Sequence, residues 1–280
     1  MADEIGISLN MNPHWVMDGD LAGFLTPLRQ AGLDTLEFEL DRYLPEWPQV
    51  QPLMEQCADS GMHICFHAPY RKPHHVDGFV HGSRAEIIEQ YRPAFEIAER
   101  WAQRQGRGVN VVIHGAVSGA AERADLRADT VQFLDWALES FTGLCLALEN
   151  NAPPAPGILK TGDSRESVLE VVDELNHHRL KVCWDMGHDY LSGSAPEVAP
   201  EWLDKVIHTH VHDVDAEGRD HYPLVFGRVP YTAWLPLLAK GHTLKVATLE
   251  IKGGLMKGWS PELVGQLLVE SITTIRRGLQ

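Results

Sequence analysis

Six short apolar runs each end in a side chain that titrates or binds metal: His67, His114, Glu149, Asp185, His210 and Glu250. A run such as Leu144-Cys145-Leu146-Ala147-Leu148 must be covered on both faces, so the polar group that follows it lies at the edge of a buried region. Burying one such group unpaired is unfavourable by a few kcal/mol, and six meeting at one place need a common partner. A divalent cation is the simplest. Carboxylates mixed with imidazoles suit Mn²⁺, Mg²⁺, Co²⁺ or Zn²⁺, and no cysteine ends a run, which argues against a soft thiolate site. An ion held there would polarise a hydroxyl or carbonyl oxygen, and a neighbouring glutamate could move a proton on or off carbon. Glu149 and Glu250 could serve the two faces of one substrate.

Each residue has a plainer reading. A lone histidine at a strand end is more often a hydrogen-bonded structural residue than a ligand, so the ensemble carries the argument. For Glu149, before Asn150-Asn151, and Glu250, after Ala247-Thr248-Leu249, the competing account is an ion pair with Lys252 or an arginine. His188, three residues after Asp185, could be a ligand, a residue that orients one, or a loop hydrogen-bond partner. His208, His210 and His212 alternate and so share one face of a strand end; their spacing does not choose among them. His74, His75 and His81 in a loop, and His63, His177, His178 and His242 near turns, are expected to be solvated.

The elements that must position these residues are read from periodicity. Eight runs read as strands: Ile5 to Leu9, Thr35 to Leu40, His63 to His67, Val109 to His114, Leu144 to Glu149, Leu180 to Asp185, Val206 to His210 and Leu244 to Glu250. Between them lie amphipathic stretches. The clearest carries Ile87, Tyr91, Ala94, Phe95, Ala98, Trp101 and Ala102 at the spacing of one helix face. The last carries Leu263, Leu267, Leu268, Ile272 and Ile275, with Ser260-Pro261-Glu262 as its N-terminal signal. Alternating strands and helices with doubly covered strands imply a parallel sheet. Asn10-Met11-Asn12-Pro13 is no glycine-rich phosphate turn, so the reading is an α/β (β/α)₈ TIM barrel, expected to be one domain over residues 1–280. Longer loops follow the third, fifth, sixth and seventh runs: roughly Tyr70 to Gly82, Asn150 to Gly162, Asp189 to Pro200 and Asp213 to Pro230. All lie on the face where barrel chemistry occurs.

Composition narrows the function. With 24 Lys plus Arg against 39 Asp plus Glu, the chain carries a formal charge of −15, which disfavours nucleic acid as a partner. Hydrophobic residues at 44% and charged ones at 22% fit a soluble globular protein. Cys57, Cys65, Cys145 and Cys183 have no paired spacing and read as reduced core residues. The acidic start, MADEIGISLN, has no leader pattern, and no apolar stretch is long enough to span a bilayer, so a cytoplasmic location and no membrane partner are expected.

The succession Phe66-His67-Ala68-Pro69, Val112-Ile113-His114-Gly115, Leu148-Glu149-Asn150, Asp185-Met186-Gly187-His188, His210-Val211-His212-Asp213 and Leu249-Glu250 resembles the xylose isomerase-like TIM-barrel superfamily. The resemblance spans the third to the eighth strand. Its epimerase branch implies one divalent metal (Mn, Mg, Co or Zn) on Glu149, Asp185, His210 and Glu250. The two glutamates are then catalytic, and His67, His114, His188 and His221 bind substrate. The implied reaction isomerises or epimerises a small sugar, sugar phosphate or polyol, or is a related lyase step, by proton transfer next to a carbonyl through an enediolate. A carbohydrate is the implied partner, and a homo-oligomer is left open. The endonuclease IV branch implies a zinc-dependent phosphodiesterase on abasic DNA, with additional zinc ions through His67, His114, His188 and His221. Arg219-Asp220-His221 departs from that branch, which has aspartate two residues before the histidine; Asp220 is expected to point elsewhere, which weighs against the third zinc. Leu224-Val225-Phe226-Gly227 also replaces the usual glycine-rich turn. A non-catalytic metal-binding module is the third reading. Lys252-Gly253-Gly254 sits where barrels hold phosphate, and the same lysine could be an exposed loop charge.

Overall fold

The computed structural model describes residues 5–12, 19–241 and 243–280. Pro13 and His242, both used above, lie outside the described residues, as do the first four residues of the acidic start.

Eight parallel strands close a barrel: β1 (Gly6–Asn10), β2 (Thr35–Glu39), β3 (His63–His67), β4 (Val109–Ile113), β6 (Leu144–Glu149), β8 (Leu180–Asp185), β9 (Val206–Val211) and β10 (Val246–Leu249). Their order around the barrel follows the chain, and β1 closes on β10. The expected strand ends hold to within two residues. Helices α1 (Leu21–Ala31), α2 (Trp47–Asp59), α3 (Arg84–Gln105), α4 (Arg123–Ser140), α5 (Arg165–Leu175), α8 (Tyr231–Lys240) and α9 (Pro261–Gly278) surround it. Every apolar residue named for the α3 face is buried. Phe95 and Tyr91 of α3 pack on Phe133 and Trp136 of α4, with ring centroids 4.7 to 6.1 Å apart, near enough for favourable edge and tilted contacts. In α9, Ser260 accepts from the Leu263 amide as the N-cap and Leu268, Ile272 and Ile275 are buried, while Leu263 itself is exposed. Among the described residues no helix is long and apolar enough to cross a membrane. The four cysteines are free, Cys145 only half-buried.

Two features escaped the periodicity. A two-stranded antiparallel ribbon, β5 (Val117–Ser118) with β7 (Leu159–Lys160), stands on the mouth of the barrel. Gly115 allows it to fold down, because a Cβ there would lie 2.7 Å from the Thr161 side chain. The loop expected from Asp189 instead begins as helix α6 (Met186–Leu191), followed by α7 (Pro200–Leu203). Asp189 is buried in α6, bound by Arg165 and by Trp184 Nε1 at 3.0 Å.

The long loop after β9 is fixed by one carboxylate. Buried Asp213 accepts from the amides of Phe226 and Gly227, each at 2.6 Å, and from those of Val214 and Arg228. Asp213→Asn places an NH₂ against amide donors, and the unfolding free energy should fall by about 3 kcal/mol on denaturant titration, since hydrogen bonds to a charged group contribute roughly 1.5–3 kcal/mol each. A change below about 0.5 kcal/mol would mean that the loop holds itself.

Candidate metal centre and active site

Register brings the polar strand ends together. Asp185 of β8 is level with His210 of β9, which is level with Thr248 of β10, and Glu39 of β2 is level with His67 of β3. In parallel neighbours, residues at one level point the same way, so these side chains converge inside the barrel mouth.

Glu149 is the hub. Its Oε2 lies 2.8 Å from His114 Nε2 and 3.3 Å from His67 Nε2. Its Oε1 lies 3.4 Å from both His188 Nδ1 and His210 Nδ1. Glu250 Oε2 is 3.0 Å from His210 Nδ1 and 3.1 Å from His221 Nε2. Asp185 Oδ2 is 3.3 Å from His188 Nδ1 and 3.8 Å from His210 Nδ1. The structure thus gathers all eight residues singled out from the sequence. Neither glutamate is neutralised by Lys252, which is held by Asp220 at 3.1 Å instead.

Burial alone would raise the Glu149 carboxyl, but the charges of His114 and His210 outweigh it and hold the group well below the usual carboxylate range. Glu250 behaves alike, through His210 and His221. Burial pushes His67 down, yet its hydrogen bond and charge pairing with Glu149 raise it to about 9. Burial wins at His114, whose pKa is lowered. The centre therefore keeps ionised carboxylates beside imidazoles of both charge states.

Hydrogen bonds separate the three alternating histidines, which are all fully buried. His208 Nε2 meets Thr248 Oγ1 and Glu37 Oε2, each at 2.9 Å, so it faces down the barrel. His212 Nδ1 accepts from the His221 amide at 3.0 Å, which leaves Nε2–H to donate to Asp185 at 3.0 Å. His212 therefore orients Asp185. Its ring packs where a Cβ on Gly187 would come within 1.9 Å, so Asp185-Met186-Gly187-His188 needs its glycine. His210 alone turns a free nitrogen to the carboxylates: its Nε2 faces Glu37 Oε2 at 3.2 Å, and Nδ1 has no aligned hydrogen-bond partner although it is buried.

That orphaned nitrogen tests whether the residues fit a cation. His210 Nδ1 and Glu250 Oε2 are 3.0 Å apart, yet both are buried without a hydrogen bond, an arrangement that suits two donors to a third atom. Ligand atoms of Glu149, Asp185, His210 and Glu250 lie within 4.8 Å of one another. Three carboxylates and an imidazole match a hard or borderline divalent ion.

Sequence reasoning missed Glu37. Buried in β2, its carboxylate accepts from His208 and His210, and from Thr248 Oγ1 at 3.3 Å. The signal was there in Thr35-Leu36-Glu37-Phe38-Glu39, where a carboxylate takes an inward position of a strand. A carboxylate behind a ligating imidazole fixes its tautomer and strengthens it as a donor. Glu37→Gln should weaken Mn²⁺ or Zn²⁺ binding about 10- to 100-fold by calorimetry; unchanged affinity would leave Glu37 as packing only.

Two expectations are corrected. Asp220 does not point elsewhere: its Oδ1 is 2.8 Å from His221 Nδ1 and its Oδ2 3.7 Å from His188 Nε2. His221 reaches this place through a left-handed backbone, φ 65°, uncommon for a non-glycine residue. His74 is not solvated; it is 3% exposed, its ring 5.3 and 5.4 Å from those of Tyr43 and Tyr91. His63, His81 and His178 are exposed as expected, and His75 and His177 are half-buried.

A cavity of about 1100 Å³ opens over the centre, with Glu149, Glu250, His188 and His221 in its floor and Tyr70 in its wall. The Tyr70 ring stands 4.8 Å from that of His114. Burial raises its phenol pKa, so it stays neutral and can donate.

The sequence matches the profile of the family described as xylose isomerase-like TIM barrel over residues 25–265. No curated protein matches it in sequence. In structure it is similar to a D-tagatose 3-epimerase-like protein, with TM-score 0.67 and 20% identity, covering 99% of this chain and 100% of that one. It is similar also to a D-psicose 3-epimerase from Clostridium cellulolyticum H10 solved with D-tagatose, with TM-score 0.66, 12% identity and 99% and 100% covered. A third is 3-keto-D-glucoside 4-epimerase from E. coli, with TM-score 0.65, 14% identity and 98% and 100% covered. At these identities the likeness establishes the fold.

Proposed function

Because the chain belongs to the xylose isomerase-like TIM-barrel family, we propose that it is a divalent-metal-dependent isomerase or epimerase, or a related lyase, of a small sugar, sugar phosphate or polyol. The reaction would move a proton next to a carbonyl through an enediolate. The observation that carries this reading is the pair of ionised glutamates, Glu149 buried and Glu250 half-buried: they approach His210 Nδ1 to 3.4 and 3.0 Å from the ends of β6 and β10, strands that β8 and β9 separate. A storage site needs ligands, but it has no use for two bases that reach one substrate from different strands. Similarity to proteins named as ketose 3-epimerases supports the substrate class.

Glu149, Asp185, His210 and Glu250 would hold the ion, which when bound acts as a Lewis acid on substrate oxygens. One glutamate takes the proton from substrate carbon and the other, or the same one, returns it. His67, His114, His188 and His221, all lining the cavity, bind substrate oxygens, and His114 and His210 keep Glu149 ionised. The test is deuterium uptake at the carbon next to the carbonyl when metal-loaded protein is incubated in D₂O with a panel of ketoses, aldoses and inososes. Uptake on at least one is expected; none on any would contradict the reading.

One observation favours the endonuclease IV-like alternative. Two further groups, His67 with His114 and Glu149, and Asp185 with His188, His212 and His221, are close enough to hold additional zinc ions. The charge of −15 opposes a phosphate backbone. Metal analysis is expected to give one tightly held ion per chain, and the purified protein to leave abasic DNA intact. Three ions together with nicking would reverse the choice.

A further inference from the structure

The cavity does not end at the metal centre. It continues to a second wall built by the β5–β7 ribbon and the segment around Lys72 and Pro73, and Lys160 stands in that wall. The Lys160 ammonium has three N–H donors. One is directed to the Ala152 carbonyl at 3.3 Å, and among the described residues no carboxylate is within ion-pair distance of it. Half-buried in the cavity wall, it lacks such a partner in a chain where acids outnumber bases 39 to 24. Lys252 is held by Asp220, Lys205 by Asp173, and Arg123 and Arg165 by Asp163 and Asp189.

Half-burying an ammonium without a counter-ion is unfavourable, and the strain shows as a pKa lowered by burial, with the more distant Glu149, Asp163 and Asp220 opposing the shift. An anion arriving with a ligand would relieve it. The rest of the wall suits such a group. Ser118, on the strand paired with Lys160, lines the cavity; its Oγ accepts from the Ala120 amide at 3.2 Å, which leaves its O–H to donate. Lys72 lines the same wall and is exposed. The opposite end, floored by Glu149, Glu250 and Asp220, repels anions unless a cation is present.

Resting on the sugar chemistry proposed for this cavity, we propose that Lys160, with Ser118, binds an anionic group of the substrate, a phosphate or a carboxylate, at the end remote from its reacting carbon. The preferred substrates are then sugar phosphates or sugar acids rather than neutral sugars. Nothing in the metal centre itself distinguishes these classes; the ribbon does.

The test is calorimetric titration of inorganic phosphate and, separately, acetate into metal-loaded wild type, Lys160→Met and Lys160→Arg, each checked for an unchanged circular dichroism spectrum. The wild type should bind at least one of the two, and which one names the source of the charge. Lys160→Met should weaken that binding about tenfold or more, and Lys160→Arg should keep it within about threefold. Equal binding to Lys160→Met, or none to the wild type, overturns the subsite; equal binding with a lowered Tm assigns Lys160 to tethering Ala152. In parallel, deuterium uptake is compared on a ketose, its phosphate and the corresponding keto-sugar acid. Uptake that favours an anionic form supports the subsite. Equal uptake on all three overturns it while leaving the isomerase reading intact. Lysine-dependent anion binding without uptake on any sugar supports the subsite and counts against the isomerase reading alone.

Discussion

Glutamine at Glu149 or Glu250 is expected to slow turnover about 10²- to 10⁴-fold at saturating metal, the usual worth of a positioned acid or base. The substitution keeps shape and removes the charge that lets the oxygen accept a proton. The two variants should also differ from each other. If each glutamate serves one face of the substrate, Glu250→Gln still lets Glu149 exchange the proton of one epimer with solvent, and Glu149→Gln does so for the other. Interconversion would be lost in both, and isotope exchange kept in each for a single, opposite epimer. Proton NMR in D₂O reads both quantities. Full turnover in either variant would remove that glutamate from the proton transfer and leave it a ligand only. Loss of exchange on both epimers in one variant, with exchange on both kept in the other, would point instead to one base and a purely ligating partner.

The second large effect is on stability. Three carboxylates, of buried Glu149 and Asp185 and half-buried Glu250, face one imidazole nitrogen, and without an ion they are balanced by histidines such as His210, whose pKa is raised. Mn²⁺ or Zn²⁺ at about one hundred times its Kd should stabilise the fold by roughly 2.7 kcal/mol, raising Tm by several degrees, and a chelator should reverse it. His210→Ala removes the member of the histidine triplet that turns a nitrogen without a hydrogen bond to the carboxylates, and with it most of the shift. A shift of the same size in His210→Ala would place the ion elsewhere, for instance on His67, His114 and Glu149.

The barrel and its polar rim were legible because strands such as Leu144–Glu149 are apolar until their last residue, and register in a parallel barrel brings like positions level. Glu149 and Asp185 end their strands as the sequence indicated, and both lie in the centre. Ring orientation was not legible. His208, His210 and His212 share a face by spacing, and only their partners, Thr248, Glu37 and Asp185, assign each its direction. Glu37 went unseen because attention to strand ends passes over a carboxylate held inside one. Asp220 was misplaced because the left-handed φ of His221 turns the chain there, and such a turn has no signature when the residue is not glycine. The β5–β7 ribbon has two residues per strand, too few for any periodicity to register. His74 looked like a loop residue and is one; two tyrosines bury it.

Anomalous diffraction at the manganese edge, from crystals grown with Mn²⁺, tests the centre most directly. The account predicts a single strong peak bounded by Glu149, Asp185, His210 and Glu250, with His208 and His212 turned away from it. A map with no peak there, and the two glutamates still paired only with histidines, would contradict it.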